Sequence, residues 1–91
     1  MELKDFVVQA CKSRLAFEFL PRKKENLELE KIAQQLKTAG FPLEVETNFL
    51  LMTRIGKHGI SLFRSGKIIV KETESETDAR QIAQQLIQKI K

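Results

Sequence analysis

One cysteine and one histidine are present among the 91 residues, and each scarcity excludes chemistry. A lone cysteine, Cys11, forms no disulfide within the chain and cannot build a cysteine-based zinc site. Such usage favours the cytosol, so a cytoplasmic location is expected. No neighbouring feature activates Cys11 as a nucleophile, and a buried or half-buried small apolar side chain is the expectation. His58 has neither metal-ligating partners nor a nucleophile beside it, and is expected as a solvated residue at a hairpin tip. Long hydrophobic runs are also missing. The longest, Phe49 to Met52 and Ile68 to Val70, are far too short to cross a bilayer, so no membrane partner is expected. The start, Met1-Glu2-Leu3-Lys4-Asp5, lacks the basic region and apolar stretch of a signal peptide. No glycine-rich phosphate loop, dinucleotide fingerprint or zinc-helix motif occurs. The acids Glu72, Glu74, Glu76 and Asp78 alternate as a metal loop does, but lack the central glycine and closing glutamate of a calcium site. These absences predict a protein that is not an enzyme, with no metal, no cofactor and no small-molecule substrate.

What is present describes an ordinary folded chain. With 42% hydrophobic and 31% charged residues, disorder is not expected. The length fits a single domain over 1–91, which buries somewhat more than ~60% of its unfolded surface. The net charge of +4 permits a polyanionic partner without demanding one. Its distribution says more. From Thr47 through Lys71 come Arg54, Lys57, Arg64, Lys67 and Lys71 with no acid, and the acidic cluster at 72–78 follows. The run Arg22-Lys23-Lys24 reads as a solvated charge cluster.

The clearest element is a C-terminal helix at about 76–90. Ser75-Glu76-Thr77-Asp78 resembles a capping box, and Ala79, Ile82, Ala83, Leu86, Ile87 and Ile90 recur at helical spacing. Acids lie at its start and Lys89 and Lys91 at its end, as the helix dipole favours. A second helix is expected from about 26 to 39, capped by Asn26, with Leu29, Ile32, Ala33 and Leu36 as its stripe and Gly40 and Pro42 at its end. Both contain Ile-Ala-Gln-Gln-Leu, which the demands of packing on one sheet explain better than duplication does. Between the helices the period falls to two. Leu43 to Glu46 reads as an edge strand, Phe49 to Ile55 as the next, and Gly56-Lys57-His58-Gly59 as a hairpin turn. Ile60 to Phe63, the turn Arg64-Ser65-Gly66, and Lys67 to Lys71 complete the run, with another strand upstream from Arg14 to Leu20. In the first dozen residues Leu3, Phe6, Val7 and Ala10 fit a short helix, although Phe6-Val7-Val8 has strand propensity.

The expected fold class is therefore α+β: a curved antiparallel sheet of about five strands with two amphipathic helices on one face. Strict alternation sorts the side chains. Ile60, Leu62, Ile68 and Val70 form a uniformly aliphatic face that should meet the helices. Ser61, Phe63, Lys67, Ile69 and Lys71 then lie on the opposite face, which no helix remains to cover. Phenylalanine and isoleucine among lysines suit a surface that neutralises phosphates and contacts bases or sugars. A bland reading stands beside it: exposed apolar residues are common, and Phe63 fits equally under the N-terminal segment or in a dimer interface.

Leu62-Phe63-Arg64-Ser65-Gly66-Lys67-Ile68-Ile69-Val70, followed by the acidic, serine-capped helix, resembles the repeat unit of the TATA-box-binding protein family. The element order strand, helix, four strands, helix resembles one such repeat too. The resemblance implies that the uncovered sheet face binds the minor groove of DNA, with phenylalanine wedged between base steps. It implies Phe63 as a wedge, Lys67, Ile69 and Lys71 as groove-facing, and Arg54 as a phosphate contact. The chain departs from the family in several places. Counting back from Arg54 gives Asn48 the groove side and turns Phe49, near the expected second wedge, toward the helices. The family's groove-reading asparagine has no counterpart in Leu15-Ala16-Phe17-Glu18-Phe19, and Glu18, Glu44 and Glu46 bring negative charge near the face. The family carries two repeats in one chain, so the resemblance implies a homodimer here. Similar single repeats are attached to some ribonucleases H and DNA glycosylases, so a TATA sequence need not be the target. The expectation is a nucleic-acid-binding module, for DNA or RNA and most of all duplex DNA, using Arg54, Ser61, Phe63, Lys67, Ile69 and Lys71. The alternative is a protein-interaction or assembly domain using the same face without nucleic acid.

Overall fold

The computed structural model describes residues 5–10, 16–23, 25–73 and 75–90. Cys11, Lys24, the start of the strand expected from Arg14, and Glu74 lie outside them, as do Lys91 and the first four residues. The elements are β1 (Phe6–Ala10), β2 (Ala16–Pro21), α1 (Leu29–Thr38), β3 (Leu43–Glu46), β4 (Leu50–Ile55), β5 (His58–Phe63), β6 (Ile68–Lys71) and α2 (Glu76–Lys89). The strands form one six-stranded sheet in the order β1-β2-β6-β5-β4-β3, every neighbouring pair antiparallel. The α+β architecture is as expected, with one strand more than the sequence reading.

That extra strand replaces the N-terminal helix. Phe6, Val7 and Val8 pair with Pro21, Leu20 and Phe19 across β1 and β2. The available edge of β2 gives these β-prone residues a ladder, and their helical spacing loses to it.

Helix α1 begins three residues later than the sequence implies. Glu28, not Asn26, stands at its N-cap and makes no side-chain cap bond. Asn26 is occupied elsewhere: its Oδ1 accepts from Arg64 Nε at 2.8 Å. In α2 the Ser75 hydroxyl accepts from the Asp78 amide at 3.3 Å, as a cap should. The reciprocal half of a capping box is not made, because the Ser75 amide donates to Thr73 Oγ1 at 3.2 Å.

One core holds the layers together. Leu29, Ile32, Ala33 and Leu36 of α1 and Ala79, Ile82, Ala83, Leu86 and Ile87 of α2 meet Phe17, Phe19, Leu51, Ile60, Leu62, Ile68 and Val70 of the sheet. Helix α1 lies over β3 and β4, and α2 over β6 and β2. The β5–β6 turn needs Gly66 at φ +93°, where the glycine also fits against Pro21 and Glu25 at distances a Cβ would crowd. The hairpin between β4 and β5 turns at Gly56, φ +61°. His58 is not at the solvated tip: it opens β5, half-buried, with Nδ1 3.3 Å from the Lys71 carbonyl oxygen.

Candidate nucleic-acid interface

Residues paired directly across an antiparallel ladder share a face. Ile69 lies opposite Glu18 on one side and Ser61 on the other, Ser61 opposite Met52, Phe63 opposite Leu50, and Arg54 opposite Gly59. Their neighbours Ile60, Leu62, Ile68 and Val70 are fully buried beneath the helices. Arg54, Ser61, Phe63 and Ile69 thus occupy the face away from α1 and α2, with Lys67 and Lys71 flanking Ile69 on the same side by alternation.

These residues are not equally available. Phe63, Lys67, Ile69 and Lys71 are half-buried and Arg54 is exposed, whereas Ser61 is only 3% exposed between Ile69 and Met52. Ser61 is part of the floor and offers little contact surface. The stem of Lys71 lies across Gly59, where any Cβ would meet it at 3.9 Å.

One end of the face gathers its aromatic character. Lys67 Nζ sits 4.8 Å from the centre of the Phe63 ring, a cation–π contact that holds the cation beside the apolar surface. Phe49 lines the same shallow depression as Phe63, with Asn26, Arg64 and Ser65. At 69% exposed, Phe49 is the most exposed large hydrophobic residue described. It does not join the core toward which alternation directs it. Phe49 precedes β4 and stands opposite Arg64, one step beyond the Leu50–Phe63 pair. The turn before β4 is well fixed. Thr47 Oγ1 accepts from the amides of Phe49 and Leu50 at 3.2 and 3.0 Å, and the Phe49 carbonyl accepts from the Arg64 amide at 2.9 Å.

The charges are more balanced than the acid-free stretch from Thr47 to Lys71 implies. Arg54 contacts Glu44 at 3.1 Å and Glu72 at 3.7 Å, and Lys67 lies 4.0 Å from Glu18. Gln9 Nε2 donates to the other oxygen of Glu18 at 3.3 Å. Glu72 reaches this position through a left-handed backbone, φ 63°, as the chain leaves β6. Glu46 goes the other way. A register shift between Leu43 and Val45 turns it to the helix side, where it meets Lys37 at 2.9 Å. The exposed Arg54 pairs contribute at most about 1 kcal/mol each, so a phosphate can displace their carboxylates, whereas Lys67 and Glu18 meet half-buried.

The family model of "Transcription factor TFIID (or TATA-binding protein, TBP)" matches residues 22–91, from the end of β2 through both helices. The chain belongs to the TATA-binding-protein family. A TATA-box-binding protein of the archaeon Archaeoglobus fulgidus is 30% identical over 67 residues, which are 74% of this chain and 37% of that protein. The chain thus spans little more than a third of the relative it matches. No solved structure matches. Strands β1 and β2 lie outside the matched residues. Arg54, Phe63, Lys67, Ile69 and Lys71 all lie within them, whereas Glu18 on the same face does not.

Proposed function

We propose that this domain of the TATA-binding-protein family is a non-catalytic module that binds duplex DNA with the helix-free sheet face, acting as a homodimer. The observation that carries the reading is a phenylalanine with a cation over its ring at one end of that face, beside a second, exposed phenylalanine. Phe49 and Phe63 border one depression, and Lys67 rests over the Phe63 ring. Aromatic edges entering a base step, with cations placed for the flanking phosphates, are the components that minor-groove contact requires. Arg54 and Lys71 supply further cations along the same surface, and Ile69 with Met52 supplies an apolar middle. Family membership supports a nucleic-acid partner in general; a second copy would double a surface that covers few phosphates alone. A cytoplasmic location remains part of this reading on the composition alone.

The test is binding of a labelled duplex by fluorescence anisotropy across a salt series, with single-stranded DNA and duplex RNA beside it. Each phosphate neutralised contributes a slope of about −0.9 in log affinity against log salt. Arg54, Lys67 and Lys71 together predict about −2 to −3 per copy, moderated by the carboxylates they leave. Preference for single strands or RNA would redirect the assignment, and absence of binding at low salt would end it.

One observation favours a second reading, a protein-assembly surface: Glu18 and Glu44 leave the face nearly neutral while Phe49 and Phe63 stay accessible. Under that reading Phe63→Asp removes a partner protein and salt has little effect.

A further inference from the structure

The sheet ends in two edges of opposite character. Strand β3 is four residues long, follows Pro42, carries Glu44 and Glu46, and is interrupted by a register shift between Leu43 and Val45. Proline, charge, shortness and a bulge all blunt an edge against pairing with another strand. Strand β1 has none of these. Phe6-Val7-Val8-Gln9-Ala10 is uncharged, keeps one unbroken register with β2, and is the outermost strand among the described residues. Val7 is 44% exposed.

The free backbone groups of β1 can be assigned. The Arg22 amide donates to the Asp5 carbonyl at 2.8 Å, so Asp5 and Arg22 form a hydrogen-bonded pair that extends the ladder. Alternation gives Val7 with Leu20 and Gln9 with Glu18 the same relation. Phe6, Val8 and Ala10 therefore direct their N–H and C=O groups away from β2, along the open edge. Pro21, which has no N–H to offer, stands opposite Phe6, where the ladder requires none.

We propose that β1 docks against β1 of a second copy of this chain, antiparallel about a two-fold axis at Val8. Pairing all five residues sets Val8 against Val8, Val7 against Gln9, and Phe6 against Ala10 of the other copy. Every outward N–H and C=O of Phe6, Val8 and Ala10 then finds a counterpart. The strand is its own complement: no charge meets a like charge, and the largest side chain faces the smallest. That self-complementarity is what a closed, isologous contact demands, and it favours a second copy over an unrelated strand. Because the axis stands perpendicular to the sheet, both helical layers fall on one side and the two helix-free faces join into one surface. This names the surface for the second copy in the reading above, yet it needs no nucleic acid, so the two fail separately. A five-residue edge is small beside standard interfaces, and the dimer should dissociate in the micromolar range.

Multi-angle light scattering on the full chain, without nucleic acid, from low-micromolar to near-millimolar concentration reads the equilibrium directly. A monomer–dimer transition is expected, and a monomer throughout would overturn the proposal. Ala10→Pro removes an outward N–H at an exposed position, where an edge strand tolerates proline. It should raise the dimer dissociation constant at least roughly tenfold. An unchanged dimer would place the contact elsewhere. A third measurement does not depend on that variant folding. In a Cys11→Ser background, Val8→Cys puts two thiols across the axis with Cα atoms about 5.5 Å apart, inside disulfide range. Oxidation should yield a covalent dimer in high yield; a chain that stays monomeric would contradict the register.

Discussion

The two faces of the sheet are built from the same strands and end in opposite conditions. Along β5 and β6, Ile60, Leu62, Ile68 and Val70 are at most 1% exposed beneath α1 and α2, while Phe63, Ile69 and Lys71 stay partly open on the other side. Chemistry differs as well as burial. Beyond His58 at the start of β5 the covered face is aliphatic there, and Ile60, Leu62, Ile68 and Val70 join one core. The other mixes apolar contacts with cations held by carboxylates from neighbouring strands. The core face explains why the chain folds; the open face holds side chains that the described core does not cover.

Adjacent isoleucines provide the sharpest way to separate the faces. Ile68→Ala should lower unfolding free energy by about 2–5 kcal/mol, as large-to-small core changes do, while Ile69→Ala should cost less than about 1 kcal/mol. Urea denaturation measures both, and equal losses would mean that the faces are not distinct in energy. Next in size is the aromatic end. Phe63→Ala should weaken duplex binding about ten- to a hundredfold, corresponding to roughly 1–3 kcal/mol of aromatic contact. Phe49→Ala should act similarly on binding and leave the melting temperature nearly unchanged, since the ring is exposed. Anisotropy and thermal melts check the pair. Ser75→Ala tests the helical layer alone. It should cost about 1 kcal/mol of stability through the lost α2 cap, with duplex affinity per folded molecule unaltered. The smallest effect is a gain. Glu18→Gln frees Lys67 from a carboxylate 4.0 Å away and should tighten duplex binding about two- to fivefold at low salt.

Much of this division was legible in the sequence because it follows from local periodicity. Two-residue alternation separated Ile68 and Val70 from Ile69 and Lys71, and three-to-four-residue spacing identified both helical stripes. The capping serine of α2 was readable for the same reason. What escaped depended on contacts distant in the chain. Strand β1 exists because β2 offers it an edge, and Asn26 leaves its cap because Arg64 arrives from 38 residues away. The exposure of Phe49 escaped as well, because alternation gives a side chain's direction and not whether the core reaches it. Glu18 and Glu44 were expected near the face, and they enter it from strands on either side to offset the acid-free stretch. Glu46 was expected there too, and a single register shift sends it to Lys37 instead.

Amide and methyl chemical-shift mapping by NMR during titration with a short duplex tests the central claim most directly, because it reports both faces in one experiment. The account predicts perturbations at Phe49, Met52, Arg54, Phe63, Lys67, Ile69 and Lys71, with the outer surfaces of α1 and α2 unmoved. Perturbations confined to the helices, or a spectrum unchanged at low salt, would contradict it.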